Sequence, residues 1–372
     1  MKFLVAPISA LFLSGLTWAD CGSADSAGSD NVPHASREVL RRAGYEQFRN
    51  GQFQKAMACY IAALHRIETQ DSRNARTLAS DLNDLGIVSE EMGHYGDARK
   101  YYERELELLK PLGETIGGEG LGTVYERLAN LSLVEGSLSA SEADYKQAVA
   151  LLTRHAGPDD LRTAEAWGGM GRHYAEWGRY EESEKLLRQA RTIAEKSAPT
   201  SDWVLIDILD SEATLLCQAR KFAAAEKSWL RALKIAENDY GADGLQYSAL
   251  LLHLGQLYTG IRDYPAAQAM LERGLAIEQK AKGEDSMDRA IATSALGNVY
   301  LLQHKLARAE PLFLKSLYAL DGNCGTIPLA CATVRSFLGD FYMAKGQWQS
   351  AEGEYEIALT LRKSALEAIT RW

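Results

Sequence analysis

The chain has 372 residues, of which 46% are hydrophobic, 9% aromatic and 24% charged, a balance that excludes collagen-like and wholly disordered chains. With 41 Lys and Arg against 50 Asp and Glu the net charge is −9. The chain therefore lacks the basic surplus by which a general nucleic-acid binder displaces counterions, and nucleic acid is not an expected partner.

In chain order, residues 1–19 place one basic residue, Lys2, before an apolar stretch from Phe3 to Leu16, and close on the small-residue site Thr17-Trp18-Ala19. This pattern predicts a secretory signal, with the product exported to the periplasm or secreted. No other run approaches the length of a membrane span, so no integral membrane segment is expected after cleavage. Lipid anchoring through Cys21 is disfavoured because the charged Asp20 precedes it. Residues 20–36 are rich in Ser, Ala, Gly and Asp and predict a flexible leader, since they have too little apolar surface to offset ordering entropy. Export makes cysteine pairing possible. Cys324 and Cys331 bracket the loop CGTIPLAC and are the candidate disulfide, whereas Cys59 and Cys217 fall in helical patterns and are expected as small packing residues.

From residue 37 onward a small residue recurs at near-constant spacing: Ala56, Ala98, Ser141, Ser183, Ala225, Ala267, Ala309 and Ala351. Four positions after each stands a large residue: Tyr60, Tyr102, Tyr145, Leu187, Trp229, Leu271, Phe313 and Tyr355. Each unit predicts an apolar-periodic helix, a break, and a second amphipathic helix. Gly51, Gly93, Gly136, Gly178 and Gly346 occupy the break, where a left-handed residue ends a helix at little cost. Connectors carrying Pro111, Pro158, Pro199 and Pro328 lead to the next unit. A hairpin of this kind cannot bury its own apolar face, so the units must stack. The resulting eight repeats are 37–78, 79–121, 122–163, 164–205, 206–247, 248–289, 290–331 and 332–372. Repeat 5 departs most, with Glu212-Ala213 and Arg220 at the key positions, and looser packing is expected there.

Leu254-Gly255 with Tyr258, Leu296-Gly297 with Tyr300, and Leu338-Gly339 with Tyr342, followed by Ala309/Phe313 and Ala351/Tyr355, resemble the tetratricopeptide repeat. The 42-residue period resembles the kinesin-light-chain type, most closely over residues 295–317 and in the segment 156–171. The resemblance spans residues 37–372 and implies an all-α, right-handed superhelical solenoid of about eight antiparallel helical hairpins, acting as a protein- or peptide-binding scaffold.

In such an array the first helices line a groove, and the spacing of each repeat aims particular residues at it. They include Arg41 and Tyr45 in repeat 1, Asn83 in repeat 2, Glu126 and Asn130 in repeat 3, and Arg172 in repeat 4. The later repeats supply Leu252, Gln256, Asn298, Leu301, Asp340 and Met343. Asn130, Gln256 and Asn298 share one position, and an amide can both donate to and accept from an extended peptide. The kinesin-light-chain resemblance implies such an amide ladder, though the position equally suits residues that merely face solvent. Leu133, Val134, Leu252, Leu301, Leu302 and Met343 would add apolar surface. The final helix keeps Leu359, Leu361, Leu366, Ile369 and Trp372, which points to self-association or to docking on a neighbouring protein; a long C-terminal helix could also fold back and cover the apolar groove surface.

The expected partner is therefore a protein or extended peptide. A secreted effector working through the same scaffold is the alternative, and an enzyme with a groove or loop site is the lesser one. No Ser/His/Asp or Cys/His grouping emerges, and no CxxC or HxxxH, so no catalytic residue, metal or cofactor is assigned. The run Gly117-Gly118-Glu119-Gly120-Leu121-Gly122 lacks the strand and lysine of a phosphate loop and reads as a connector.

Overall fold

The computed structural model describes residues 21, 35–49, 51–70, 74–197, 202–282, 287–320, 324–325 and 327–370. The expected signal at 1–19 lies outside them. Sixteen α-helices and one short 3-10 turn account for the secondary structure of the described residues. In chain order they are α1 (Arg37–Arg49), α2 (Phe53–Gln70), α3 (Ala75–Glu91), α4 (Tyr95–Leu109), α5 (Glu114–Val134), α6 (Leu138–His155), α7 (Leu161–Glu176) and α8 (Tyr180–Ser197). There follow α9 (Asp202–Gln218), α10 (Phe222–Tyr240), α11 (Leu245–Gly260), α12 (Tyr264–Lys282), α13 (Met287–Leu302), α14 (Leu306–Leu320), α15 (Pro328–Ala344) and α16 (Trp348–Thr370). The chain is an all-α helical repeat solenoid. No described helix is long and apolar enough to cross a membrane.

The chain forms two compact units, residues 1–117 and 118–372. Within each, odd-numbered first helices pair with the even-numbered helices that follow them. One contact repeats along the chain. The glycine or alanine of each first helix sits beneath the large residue sixteen positions on. A Cβ placed on Gly86 would fall 2.2 Å from Tyr102, on Gly255 2.6 Å from Leu271, on Gly297 2.8 Å from Phe313 and on Gly339 2.6 Å from Tyr355. The missing side chain lets the hairpin close, and the ring fills the space to interior density. The recurring small residue is buried in all eight repeats, since a larger one would separate the helices.

The break glycines hold left-handed φ, as expected, at Gly51, Gly93, Gly136, Gly178 and Gly346. The same conformation is adopted at the equivalent places of repeats 5 to 7 by Arg220, Arg262 and His304, so the turn geometry is imposed by stacking even where the residue disfavours it.

Four expectations need correcting. The glycine run 117–122 is helical, forming part of α5. A Cβ on Gly118 would lie 2.4 Å from the His155 ring, and one on Gly122 2.6 Å from Leu152, so these glycines admit α6 rather than loosen a connector. Cys59 is not a packing thiol. It is buried and bonded to Cys21, which pins part of the stretch read as a flexible leader. Repeat 5 is closed on its first-helix side, with Ala213 buried near Trp229 in a core that also holds Val204, Ile208 and Leu209. The inter-repeat connectors also lose residues to the helices, since Pro328, read as part of a connector, is the first residue of α15, and α7 begins at Leu161, capped by Asp160. Cys324 and Cys331 are bonded as expected, with Cα atoms 5.6 Å apart. Cys217 is free and half-buried.

Candidate functional site

The predicted groove positions lie on first helices, and the structure sorts them into three kinds. In the first unit, Arg41 is engaged by acids of the neighbouring first helix: its Nε donates to Asp84 at 2.9 Å and lies 3.2 Å from Asp81. Arg37 binds the same buried Asp81, at 2.8 and 2.6 Å. These bridges tie α1 to α3. Tyr45 is exposed, and Asn83 keeps a buried Oδ1 without a hydrogen-bond partner among the described residues.

In the second unit a polar relay crosses four first helices. Asn130 of α5 donates to Glu126 at 2.5 Å, and its Oδ1 accepts from Tyr145 at 2.5 Å and from Arg172 of α7 at 2.7 Å. Arg172 also donates to Asp207 of α9 at 3.0 Å. One turn on, Asp210 accepts from the Trp229 indole at 2.6 Å, and its Oδ1 lies 2.5 Å from His253 Nδ1 of α11. Asp207, against the cost of burial, holds the Arg172 guanidinium more firmly protonated than usual. Burial opposes the charge on Asp210, yet His253 and the Trp229 donor bring its carboxyl below the ordinary range. Glu165 goes the other way: burial, then the nearby Glu126 carboxylate, push it up against the pull of Arg127, which lies 3.4 Å away. Paired and hydrogen-bonded charges of this kind fix helix register. Asn130, Glu126 and Arg172 are therefore bound within the protein.

Beyond α11 the relay stops. Leu252 and Leu301, expected to open apolar surface, are each 8% exposed. Leu252 reaches under α12, within 2.7 Å of where a Gly274 Cβ would stand, and Leu301 belongs to the core around Phe313 and Phe341. Their neighbours Leu302 and Met343 are exposed. Gln256 is exposed and Asn298 half-exposed, and neither side-chain amide bonds another described residue. Asp340 accepts from Tyr355 at 2.6 Å. The arrangement offers two repeat-equivalent amides on neighbouring helices, flanked by apolar anchors. The helices α11 and α13, and α13 and α15, pack side by side.

Sequence reasoning missed the relay partners Asp207 and His253. The signal available was their place on the same helix stripe in adjacent repeats, which only an assumed stacking order converts into proximity. On α16, Leu359 is exposed and Leu361 partly so. The side chains of Leu366, Ile369 and Trp372, and with them the tail expected to cover the groove, lie outside the described residues.

Comparison with known proteins agrees with this architecture. Family models described as tetratricopeptide repeat match residues 120–196, 206–280 and 334–369, about half of the chain in all. A TPR repeat-containing protein of Dictyostelium discoideum is 23% identical over 170 residues, or 45% of this chain; the chain spans about a tenth of the length of that curated relative. Among solved structures, the Rap conjugation gene regulator of the plasmid pLS20, in complex with a Phr peptide, has a TM-score of 0.61 at 12% identity, with 90% of this chain and 97% of that one covered. A Rap protein complexed with competence and sporulation factor gives 0.57 at 14% identity, over 89% and 99% of the two chains. BtubC from P. vanneervenii gives 0.50 at 21% identity, over 61% and 92%. At these identities the structural likeness speaks to fold. With its repeated glycine-under-ring contact and the matched segments, the chain belongs to the tetratricopeptide-repeat family.

Proposed function

We propose that this protein is a binding scaffold that captures an extended segment of a partner polypeptide along the first-helix face of α11, α13 and α15. The observation that carries this reading is the pair Gln256 and Asn298. They are equivalent positions on adjacent helices, their amides are uncommitted, and the exposed Leu302 and Met343 lie on the same succession of first helices. Amides spaced by the repeat can donate to and accept from successive peptide groups, while the apolar residues anchor side chains. Binding energy would concentrate in the anchors. Two of the similar solved structures, the Rap proteins, were determined in complex with a Phr peptide or with competence and sporulation factor, which supports a peptide-sized ligand.

The test is a peptide-array screen with the protein and with the double variant Gln256→Ala/Asn298→Ala. Selected peptides should bind the variant about tenfold more weakly, as loss of two hydrogen bonds implies, at unchanged thermal stability. Equal binding by both proteins would overturn the reading.

We further propose export to an oxidising compartment. The apolar N-terminal stretch and the two disulfides, Cys21–Cys59 and Cys324–Cys331, support it, because such bonds persist there and are reduced in the cytosol. A sulfur engaged by Cys59 is also unavailable for a lipid thioether at Cys21. Cell fractionation with thiol alkylation of the denatured chain should find it outside the cytoplasm with a single free thiol, Cys217. Self-association through α16 has the exposed Trp348, Ile357 and Leu359 in its favour, and analytical ultracentrifugation of a Leu359→Lys variant checks it.

A further inference from the structure

Elsewhere in the second unit a cleft of about 620 Å³ lies between α8, α9 and α10. This is within the range of about 300–1,000 Å³ common for small-ligand sites. The repeat frame explains why it is there. In repeat 4, Tyr174 reaches back to the preceding second helix. Its hydroxyl donates to Glu142 at 3.1 Å, the Arg179 guanidinium lies 4.1 Å from its ring centre, and Lys146 pairs with the same carboxylate at 2.9 Å. Repeats 6 and 7 repeat the tyrosine-to-carboxylate bond, with Tyr258 on Glu226 at the position of Glu142 and Tyr300 on Glu272 one turn further along its helix, each at 2.7 Å.

One repeat after Tyr174, every part of the clasp is present except the tyrosine. Glu184 stands for Glu142, Arg188 for Lys146 and Lys221 for Arg179, and all three line the cleft. The ring position is Leu216, which lacks both the hydroxyl and the reach. Small residues widen the gap: Ala219 stands where repeats 4 and 6 carry Trp177 and Ile261, and Ser228 where repeats 4, 6 and 7 carry Leu186, Met270 and Leu312. The consequence is visible at the acid. The Glu142 side chain, covered by Tyr174 and Arg179, is 15% exposed, whereas that of Glu184 is 59% exposed though it keeps its Arg188 partner at 2.7 Å. Repeats 2 and 3 also lack the tyrosine, but their serines Ser89 and Ser132 are buried, so the place is closed there.

We propose that this cleft is a vacant tyrosine slot that binds the phenol side chain of a tyrosine presented by a partner polypeptide. The ring would lie against the partly exposed Leu216, above the buried Leu187 and Leu215, the hydroxyl would donate to Glu184, and Lys221 would approach the ring from the open side. Each contact has its intramolecular counterpart in repeats 4, 6 or 7, which shows that this helix geometry accepts a phenol. The cleft shares no residue with α11, α13 or α15, so its fate is independent of the function proposed above.

Calorimetric titration of the protein with N-acetyl-tyrosinamide tests it. Saturable 1:1 binding is expected, about fivefold tighter than for N-acetyl-phenylalaninamide, the difference one net hydrogen bond supplies. Glu184→Gln should shrink that preference. Leu216→Tyr and Ser228→Leu, which install side chains that other repeats already carry, should each abolish binding, and Leu216→Tyr should also raise the melting temperature. Absence of saturable binding, equal affinity for the two amides, or binding that survives both filling variants would overturn the proposal. Binding of 4-methylphenol without binding of the amide would overturn the polypeptide as its source.

Discussion

Arg172 donates to Asn130 across 2.7 Å, and the same Asn130 oxygen accepts from Tyr145. An amide on the repeat position expected to grip a peptide is thus already gripped by its own protein. Asn130→Ala would take the acceptor from the buried Tyr145 hydroxyl and leave Arg172 to Asp207, and should destabilise the fold by about 2 kcal/mol. Gln256→Ala and Asn298→Ala, which break no bond between described residues, should leave unfolding within about 0.5 kcal/mol of the parent. Denaturant melts of the three single variants decide it. Equal losses at all three positions would make the ladder structural throughout.

Ser141 and Ser183 occupy the buried small-residue position that the other six repeats give to alanine, and their hydroxyls have no hydrogen-bond partner among the described residues. An unmet buried hydroxyl costs about 1–3 kcal/mol. Ser141→Ala and Ser183→Ala should therefore each stabilise by about 1 kcal/mol, read as a rise in the denaturation midpoint at constant slope.

Arg220, Arg262 and His304 hold φ values of 57°, 67° and 58°, a conformation that glycine adopts without the Cβ clash other residues meet. Replacing each with glycine should stabilise by about 1 kcal/mol, offset in part by greater freedom of the unfolded chain. Thermal melts of the single variants and of the triple check both the sign and the additivity.

His173 is buried, and neither ring nitrogen has a hydrogen-bond partner among the described residues. Its ring packs against Tyr145, Tyr174 and Trp177. Burial lowers its pKa to about 4, against a favourable pull from Glu142. The unfolded chain takes up this proton near pH 6.5, while the folded chain refuses it until about pH 4. Stability should therefore be full above pH 6.5 and fall through that window, by about 3 kcal/mol in all. His173→Phe should flatten this part of the profile, as urea melts from pH 7.5 to 4 will show.

The architecture was legible in the sequence because it is local and repeated. The small residue at Ala98 or Ala309 and the ring four positions later fix which faces of two adjacent helices meet, and eight copies average out local exceptions. Even the left-handed turn at Arg220 follows from the frame. The candidate site was legible only as a set of helix positions. Whether a position is open depends on what a neighbouring helix puts over it. Leu252 and Leu302 read alike in sequence, yet one is covered by α12 at Gly274 and the other faces out.

The sequence by itself determined the repeat, its period and the helices, since helical periodicity and turn preference act over a few residues. Only the tertiary structure decided that Cys21 meets Cys59, that Asn130 serves Arg172, and that repeat 5 leaves a cleft beside Glu184. Those outcomes depend on distances between side chains far apart in the chain, which stacking sets and no local pattern encodes.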